Sequence, residues 1–388
     1  MEVSRPKRFI IASIVTQRLT KEEAFKDLKE TKELVDAYGG EVVDFVLQQR
    51  EVHSKGYYLG TGKVKEIAEL IKEQDIDIVV LNGIVKPGQI FDIKKVLRGN
   101  NKEIQVWDRV GLILEIFSQH AETTEAKLQI DLAAMEHMGP RIYGMGFVLS
   151  RQSGGIGTRG IGETNSELMR RHWRDQKKQT EDKLKKLDEE RMRQLQRRNK
   201  MGMPTVSIIG YTNAGKTSLY NALTGKEKLV KNALFATLDS SVGKVILPTN
   251  KKEILLSDTI GFIRNLPATL IEAFKSTLME SLHADLLLHV IDVTDSDMLR
   301  KIETVEKVLF ALKVETKPRF YIFNKIDGHT DQNIQEITEL YEEYSPHFVS
   351  VKNGKGLDTL LLSIESFLAM KKAISHTENK LPEIEPLS

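Results

Sequence analysis

Residues Gly210-Tyr211-Thr212-Asn213-Ala214-Gly215-Lys216-Thr217 place two glycines, a lysine and a hydroxyl at the spacing of a phosphate-binding loop. Glycine lets the backbone curl so that successive N–H groups point inward at phosphate oxygens. Lys216 would then reach the β- and γ-phosphates, and the Thr217 hydroxyl, with Ser218 beside it, would hold Mg²⁺. The apolar run 205–209 precedes the loop and a helical pattern over 216–224 follows, the strand–loop–helix setting such a loop needs.

Further motifs follow in the order of a nucleotide switch. Asn324-Lys325-Ile326-Asp327 comes after the apolar run 319–323. In this pattern the Asp327 carboxylate accepts hydrogen bonds from the N1–H and exocyclic amine of guanine. Adenine lacks that donor pair and would leave the carboxylate unpaired, so the reading is GTP and GDP. Asp258-Thr259-Ile260-Gly261 follows the run 253–257. Asp258 would bind Mg²⁺ through water, and the Gly261 N–H would meet the γ-phosphate. Upstream, Leu234-Phe235-Ala236-Thr237-Leu238-Asp239 offers Thr237 as a second Mg²⁺ hydroxyl, with Phe235 in the same segment. Such contacts exist only while the γ-phosphate is present, so both segments should order with GTP and relax with GDP. Ser350-Val351-Lys352, after the run 347–349, is placed to cover the base.

The expected catalytic set is Lys216, Asn213 and Gly261, with water attacking the γ-phosphate. Phe262 stands where many GTPases carry a water-orienting glutamine, and a phenyl ring cannot orient water by hydrogen bonding. Asn213 has two readings. It is either a ligand for K⁺ beside the phosphates, supplying charge that an arginine supplies elsewhere, or only a brace for the loop.

These residues need scaffolds. The 388 residues suit two or three domains, and 40% hydrophobic content is enough for real cores. There is no cysteine, which removes disulfides and thiolate metal sites. No run is long enough for a signal peptide or membrane span, so a cytoplasmic protein is expected, acting as a monomer. Over 1–112, short apolar runs at 9–15, 41–47, 76–81 and 104–107 alternate with helical patterns at 21–38, 63–74 and 87–97. That alternation implies a small α/β domain with a parallel sheet. Within it, Tyr58-Leu59-Gly60-Thr61-Gly62-Lys63 is either a phosphate-binding helix N-terminus or a plain tight turn.

Two long helical patterns follow, at about 112–138 and 165–200. The stripes Leu128, Leu132, Met135 and Leu184, Leu187, Leu195 would pair them as an antiparallel hairpin spanning 113–202. Between them, residues 139–163 carry eight glycines together with Arg141, Arg151 and Arg159. This connection is read as a loop, either a simple connector or a backbone closely approaching something anionic. From Ser166 to Lys200, thirteen Lys/Arg face seven Asp/Glu, a surplus of six, with Arg170, Arg171, Arg174, Lys177 and Lys178 clustered early. The charge is either a solvated face or a nucleic-acid contact. Residues 203–370 read as a doubly wound P-loop GTPase domain, and 371–388 as a fraying tail.

With these pieces placed, the chain resembles the HflX family of translation-factor-related GTPases over about 9–370. The resemblance rests on Leu59-Gly-Thr-Gly-Lys-Val64, on Asp108-Arg-Val-Gly-Leu-Ile-Leu-Glu-Ile-Phe117 and on Glu125-Ala-Lys-Leu-Gln129. It rests equally on Gly155-Ile-Gly-Thr-Arg-Gly160, Gly162-Glu-Thr164 and the P-loop, and on Leu234–Asp239 and Asp258-Thr-Ile-Gly-Phe-Ile-Arg264. The glycine-rich segment and Phe262 separate that family from Obg, Era and TrmE-like relatives. The resemblance implies association with the large ribosomal subunit and its RNA, splitting of stalled or idle ribosomes in the GTP state, and release on hydrolysis. The sequence departs from the family pattern at Asn165-Ser166, at Lys216-Thr217-Ser218, over 82–88, and in its short C-terminal tail. The other readings are a GTPase assisting RNA modification or ribosome assembly and a switch for protein partners.

Overall fold

The computed structural model describes the chain except residues 1–4, 16–20, 52–55, 100–102, 152–164, 227–233, 236–240, 265–266, 268–269, 271–280, 282, 329–330 and 379–388. It is an α/β protein with two sheets. Two compact units divide it: residues 1–189 with 233–238 and 266–274, and residues 190–232 with 239–265 and 275–388.

The first unit begins with β1 (Arg8–Val15), α1 (Lys21–Tyr38), β2 (Glu41–Gln49), α2 (Thr61–Gln74), β3 (Ile78–Leu81), α3 (Pro87–Leu97) and β4 (Gln105–Asp108). Its strands are all parallel, in the order β2-β1-β3-β4. Alternation along β1 sends Ile10, Ala12 and Ile14 into a core with Ile67 and Ile71 of α2 and Ile93 and Leu97 of α3. Phe9, on the other face of β1, packs with Tyr38 of α1 and Trp107 of β4 at centroid distances of 5.5 and 5.9 Å.

The helix expected over about 112–138 is two helices. α4 (Arg109–His120) ends at Ala121, whose backbone is extended, and α5 (Thr124–Arg151) restarts with Thr123 Oγ1 accepting the Ala126 N–H. Asp108 caps α4 by accepting Gly111 N–H at 2.8 Å, and nearly every residue of α4 from Arg109 to Phe117 is buried. An all-round apolar helix belongs inside a packed layer. The 139–163 segment is not wholly a loop either. Helix continues to Arg151 beyond a break at Gly139 (φ 64, ψ 176), because glycine tolerates that turn and Pro140 suits the first position of a new helix. α6 (Asn165–Lys200) buries Thr180, Leu184 and Leu195 and leaves Leu187 half-buried. It is tied to α5 by Trp173 Nε1 donating to Met135 O (3.3 Å) and by Lys177–Glu136 (2.9 Å).

The second unit holds β5 (Thr205–Gly210), α7 (Lys216–Thr224), β6 (Ser241–Ile246), β7 (Glu253–Asp258), β8 (Leu286–Asp292) and α8 (Met298–Ala311). These are followed by β9 (Arg319–Asn324), α9 (Asp331–Leu340), β10 (His347–Val349) and α10 (Leu357–Glu378). The strand order is β10-β9-β8-β5-β7-β6, parallel except that β6 runs antiparallel to β7. β5 and β8 are central and buried almost throughout, which is why they read as continuous apolar runs. Among the described residues, no helix is long and apolar enough to cross a membrane.

Candidate functional site

The site is built at the carboxyl ends of β5, β7, β8 and β9, where a doubly wound sheet receives ligands. β5 ends at Gly210 and α7 starts at Lys216, so residues 211–215 form the turn between them. The Lys216 ammonium is buried and donates to Tyr211 O at 2.7 Å. Burial pulls its pKa down to about 8, against the opposing charge of Asp258. Thr217 Oγ1 donates to Asp258 Oδ2 at 3.0 Å, across the β5–β7 register that pairs Ile208 with Asp258. A hydroxyl and a carboxylate so placed form the hard oxygen pair that suits Mg²⁺.

The segment after Asp258 lies on the P-loop. Thr259 Oγ1 donates to Ile208 O, and both Thr259 and Ile260 are buried. A Cβ on Gly261 would lie 2.8 Å from Thr212 Cγ2 and 2.9 Å from Lys216 Nζ, so this glycine abuts the ammonium. Phe262 is fully buried, so its ring packs into the protein and never reaches an attacking water.

β9 supplies the base-reading side. Asn324 Nδ2 donates to Ala214 O (3.0 Å) and Asn324 Oδ1 accepts Val351 N–H (3.3 Å), tying the P-loop to the 350–352 turn. Gly215 has φ 96, and a Cβ there would collide with Asn324 Nδ2. Lys325 donates to Asn213 O (3.0 Å) and to Asp292 Oδ2 (2.7 Å). Asn213 itself adopts φ 62 and is exposed, as is the Lys352 side chain. Ser350 Oγ donates to Asp327 Oδ1 at 2.8 Å. That bond, aided by the charges of Lys352 and Lys325, holds the exposed Asp327 carboxyl below the usual range. Ser350 is fully buried, and its side chain aims Asp327.

The structure thus brings together Gly210 to Ser218, Asp258 to Gly261, Asn324, Lys325, Asp327 and Ser350 to Lys352. Phe235 is edge-on to Phe117 of α4 at 4.6 Å, within the first unit. Thr237 and Arg159, and the side chains of Arg141 and Arg151, fall outside the described residues. Sequence reading missed Asp292 and the Tyr211 hydroxyl. The signal for Asp292 was its place as the last residue of an apolar strand, beside the strand that feeds the P-loop.

Residues 26–118 fit the family described as GTP-binding GTPase N-terminal, 120–198 the GTP-binding GTPase Middle Region, and 205–325 the 50S ribosome-binding GTPase. The protein named GTPase HflX of Caldanaerobacter subterraneus subsp. tengcongensis is 44% identical over 365 residues, covering 94% of this chain and 81% of its own. GTPase HflX of Escherichia coli K12 is 36% identical over 374 residues, covering 96% and 86%. The crystal structure of SsGBP in complex with GDP aligns with a TM-score of 0.52 at 26% identity, over 94% of this chain and 99% of that one. With the P-loop lysine, the Asn324-Lys-Ile-Asp327 motif and all three family segments in one chain, this protein belongs to the HflX family of GTPases.

Proposed function

We propose that the protein binds the large ribosomal subunit in its GTP state, separates stalled or idle ribosomes, and leaves after hydrolysing GTP to GDP and phosphate. The observation that carries the reading is α6. Arg170, Arg171, Arg174, Lys178, Lys183, Lys185 and Lys186 are exposed along one helix, in a chain that also holds a guanine-nucleotide site. Seven exposed cations on a helix of 36 residues, about 54 Å long, suit the phosphates of a folded RNA. The likeness of residues 205–325 to the 50S ribosome-binding GTPase family supports that choice of RNA.

In the chemistry, Asp327 reads guanine while Asn324 and Lys325 brace the loop beneath it. Lys216 and the P-loop N–H groups bear phosphate charge, and Gly261, which abuts Lys216, offers its N–H to the γ-phosphate. Thr217 and Asp258 would hold Mg²⁺, together with Thr237; bound, the ion neutralises charge on the β- and γ-phosphates. Asn213 we assign to K⁺ beside the phosphates, since its exposed side chain rides on a backbone fixed by Lys325. Hydrolysis equally fast in Na⁺ and K⁺ would remove that assignment.

The direct experiment is sedimentation with ribosomes through sucrose, comparing a non-hydrolysable GTP analogue with GDP. Protein on large subunits and loss of intact ribosomes with the analogue alone is the expected result. Protein at the top of the gradient in both states overturns the ribosome reading.

A further inference from the structure

Tyr211, the second residue of the P-loop, makes more links than a loop residue needs. Its carbonyl accepts from Lys216 at 2.7 Å. Its backbone forms an isolated parallel bridge with Phe262, closed by Phe262 N–H to Gly210 O (3.1 Å) and Thr212 N–H to Phe262 O (2.8 Å). Its buried ring lies under Lys301 of α8, whose ammonium is 4.7 Å from the ring centroid and is also paired with Asp295. At the ring's far end, the hydroxyl accepts the backbone N–H of Arg264 at 2.8 Å. Together these contacts fasten the chain on both sides of Phe262, one and three residues beyond Gly261.

We infer that Tyr211 is a positioning residue for GTP hydrolysis, fixing the 261–264 backbone against the P-loop so that Gly261 keeps its place against Lys216 and its N–H keeps one direction. The inference rests on the assignment of Gly261 to the γ-phosphate. The physical argument is preorganisation. A backbone N–H lowers the barrier only if it already points where charge develops, and glycine alone does not hold a direction. In many GTPases the residue after this glycine is a glutamine that must move to meet water. Here that residue is Phe262, which is buried, so the segment can be held fixed. The Tyr211 hydroxyl holds its far end, at the Arg264 amide. Lys301 in turn holds the Tyr211 ring in place, so the anchor extends to α8.

The test is Tyr211→Phe, which keeps the ring, its burial and its place under Lys301, and deletes only the acceptor. Single-turnover GTP hydrolysis, GDP affinity and hydrogen exchange of the 259–266 segment are measured on the same preparations, without ribosomes. The expected result is a fall of about fivefold in the hydrolysis rate, the worth of one hydrogen bond. GDP affinity should stay within about twofold, and exchange at the Arg264 amide should be faster. Tyr211→Leu, which also removes the ring, should lose at least as much rate. An unchanged hydrolysis rate overturns the inference, as does a parallel loss of GDP affinity, which marks a merely structural role. A slowed rate with unchanged exchange overturns it too, since Tyr211 then acts through something other than the segment. Wild-type protein in the same assay reports whether GTP is hydrolysed at all, so failure of that reading is separable.

Discussion

At the scale of single residues, the site's behaviour turns on two ionisable groups held away from their ordinary states. Burial brings Lys216 down to about 8, so in the free protein its ammonium begins to be lost near that pH. A bound polyphosphate favours the charged form, so binding above pH 8 takes up a proton. The sign follows: GTP and GDP affinity should be flat below pH 8 and fall above it, by up to about tenfold per unit. Nucleotide titrations from pH 7 to 10 check this, and a flat profile to pH 10 refutes it. Asp327 is shifted the other way, below the ordinary carboxylate range by Ser350, so it is ionised throughout that window and contributes no slope. The role we assign it is selection of the base. Asp327→Asn should exchange preference for GTP for preference for XTP, because an amide can donate to the 2-oxo group where a carboxylate can only accept. Competition between the two nucleotides measures the outcome, and a variant that still prefers GTP would mean another group reads the base.

At the scale of elements, buried carboxylates do the joining. Asp108, at the end of β4, accepts from Gly111 N–H (2.8 Å), Val85 N–H (3.0 Å) and His137 Nε2 (2.8 Å), so one side chain ties the start of α4, the loop before α3 and the last turn of α5 before Gly139. Asp108→Ala leaves those donors buried without an acceptor and should cost about 3 kcal/mol, read as a lowered denaturation midpoint. In the second unit, Glu306 of α8 faces β8 and β9. Burial alone would raise its carboxyl, but His289, Arg319 and the Tyr321 hydroxyl (3.0 Å) outweigh burial and hold it at about 2. His289 Nδ1 lies 3.6 Å away, beyond hydrogen bonding, so Arg319 and Tyr321 carry most of the effect. A depressed carboxyl stabilises above its unfolded value, and that contribution fades as pH falls from about 4.5 towards 2. Glu306→Gln should therefore lose about 1–2 kcal/mol at pH 7, after discount for partial exposure, and nothing near pH 2; an equal loss at both would mean packing alone.

Neither carboxylate joint was legible in the sequence, whereas the strands and helices around them were. The apolar runs of β1, β5 and β9 are local signals, and so is the glycine spacing of the P-loop. The break at Ala121 was missed because no glycine or proline marks it; its signal is the polar stretch from Ser118 to Glu125, in which Ala121 alone is apolar. Asp292 and the contact of the Tyr211 hydroxyl escaped because their partners, Lys325 and Arg264, lie 33 and 53 positions away. A contact across that distance leaves no mark in local spacing.

At the scale of the whole molecule, net charge is only +2, so bulk electrostatics gives no reason to bind RNA. The force must come from where the charge is concentrated, and α6 concentrates it. Arg170, Arg171, Arg174 and Lys178 are all exposed within less than three turns of helix. If they meet ribosomal RNA phosphates, each contact releases counterions, and the slope of log affinity against log salt counts them. Replacing the four with Gln should weaken binding of the GTP-analogue form to large subunits and flatten that slope by about 3, near 0.7–0.9 per phosphate lost. GTP hydrolysis without ribosomes should be unchanged, since the four belong to the first unit and the nucleotide site is built from the second. Weaker binding with an unchanged slope would mean that α6 meets protein instead of phosphate, and unchanged binding would move the interface off α6 altogether. The three outcomes separate an RNA-binding helix, a protein-directed switch and a solvated helix, the alternatives that charge counting alone leaves open.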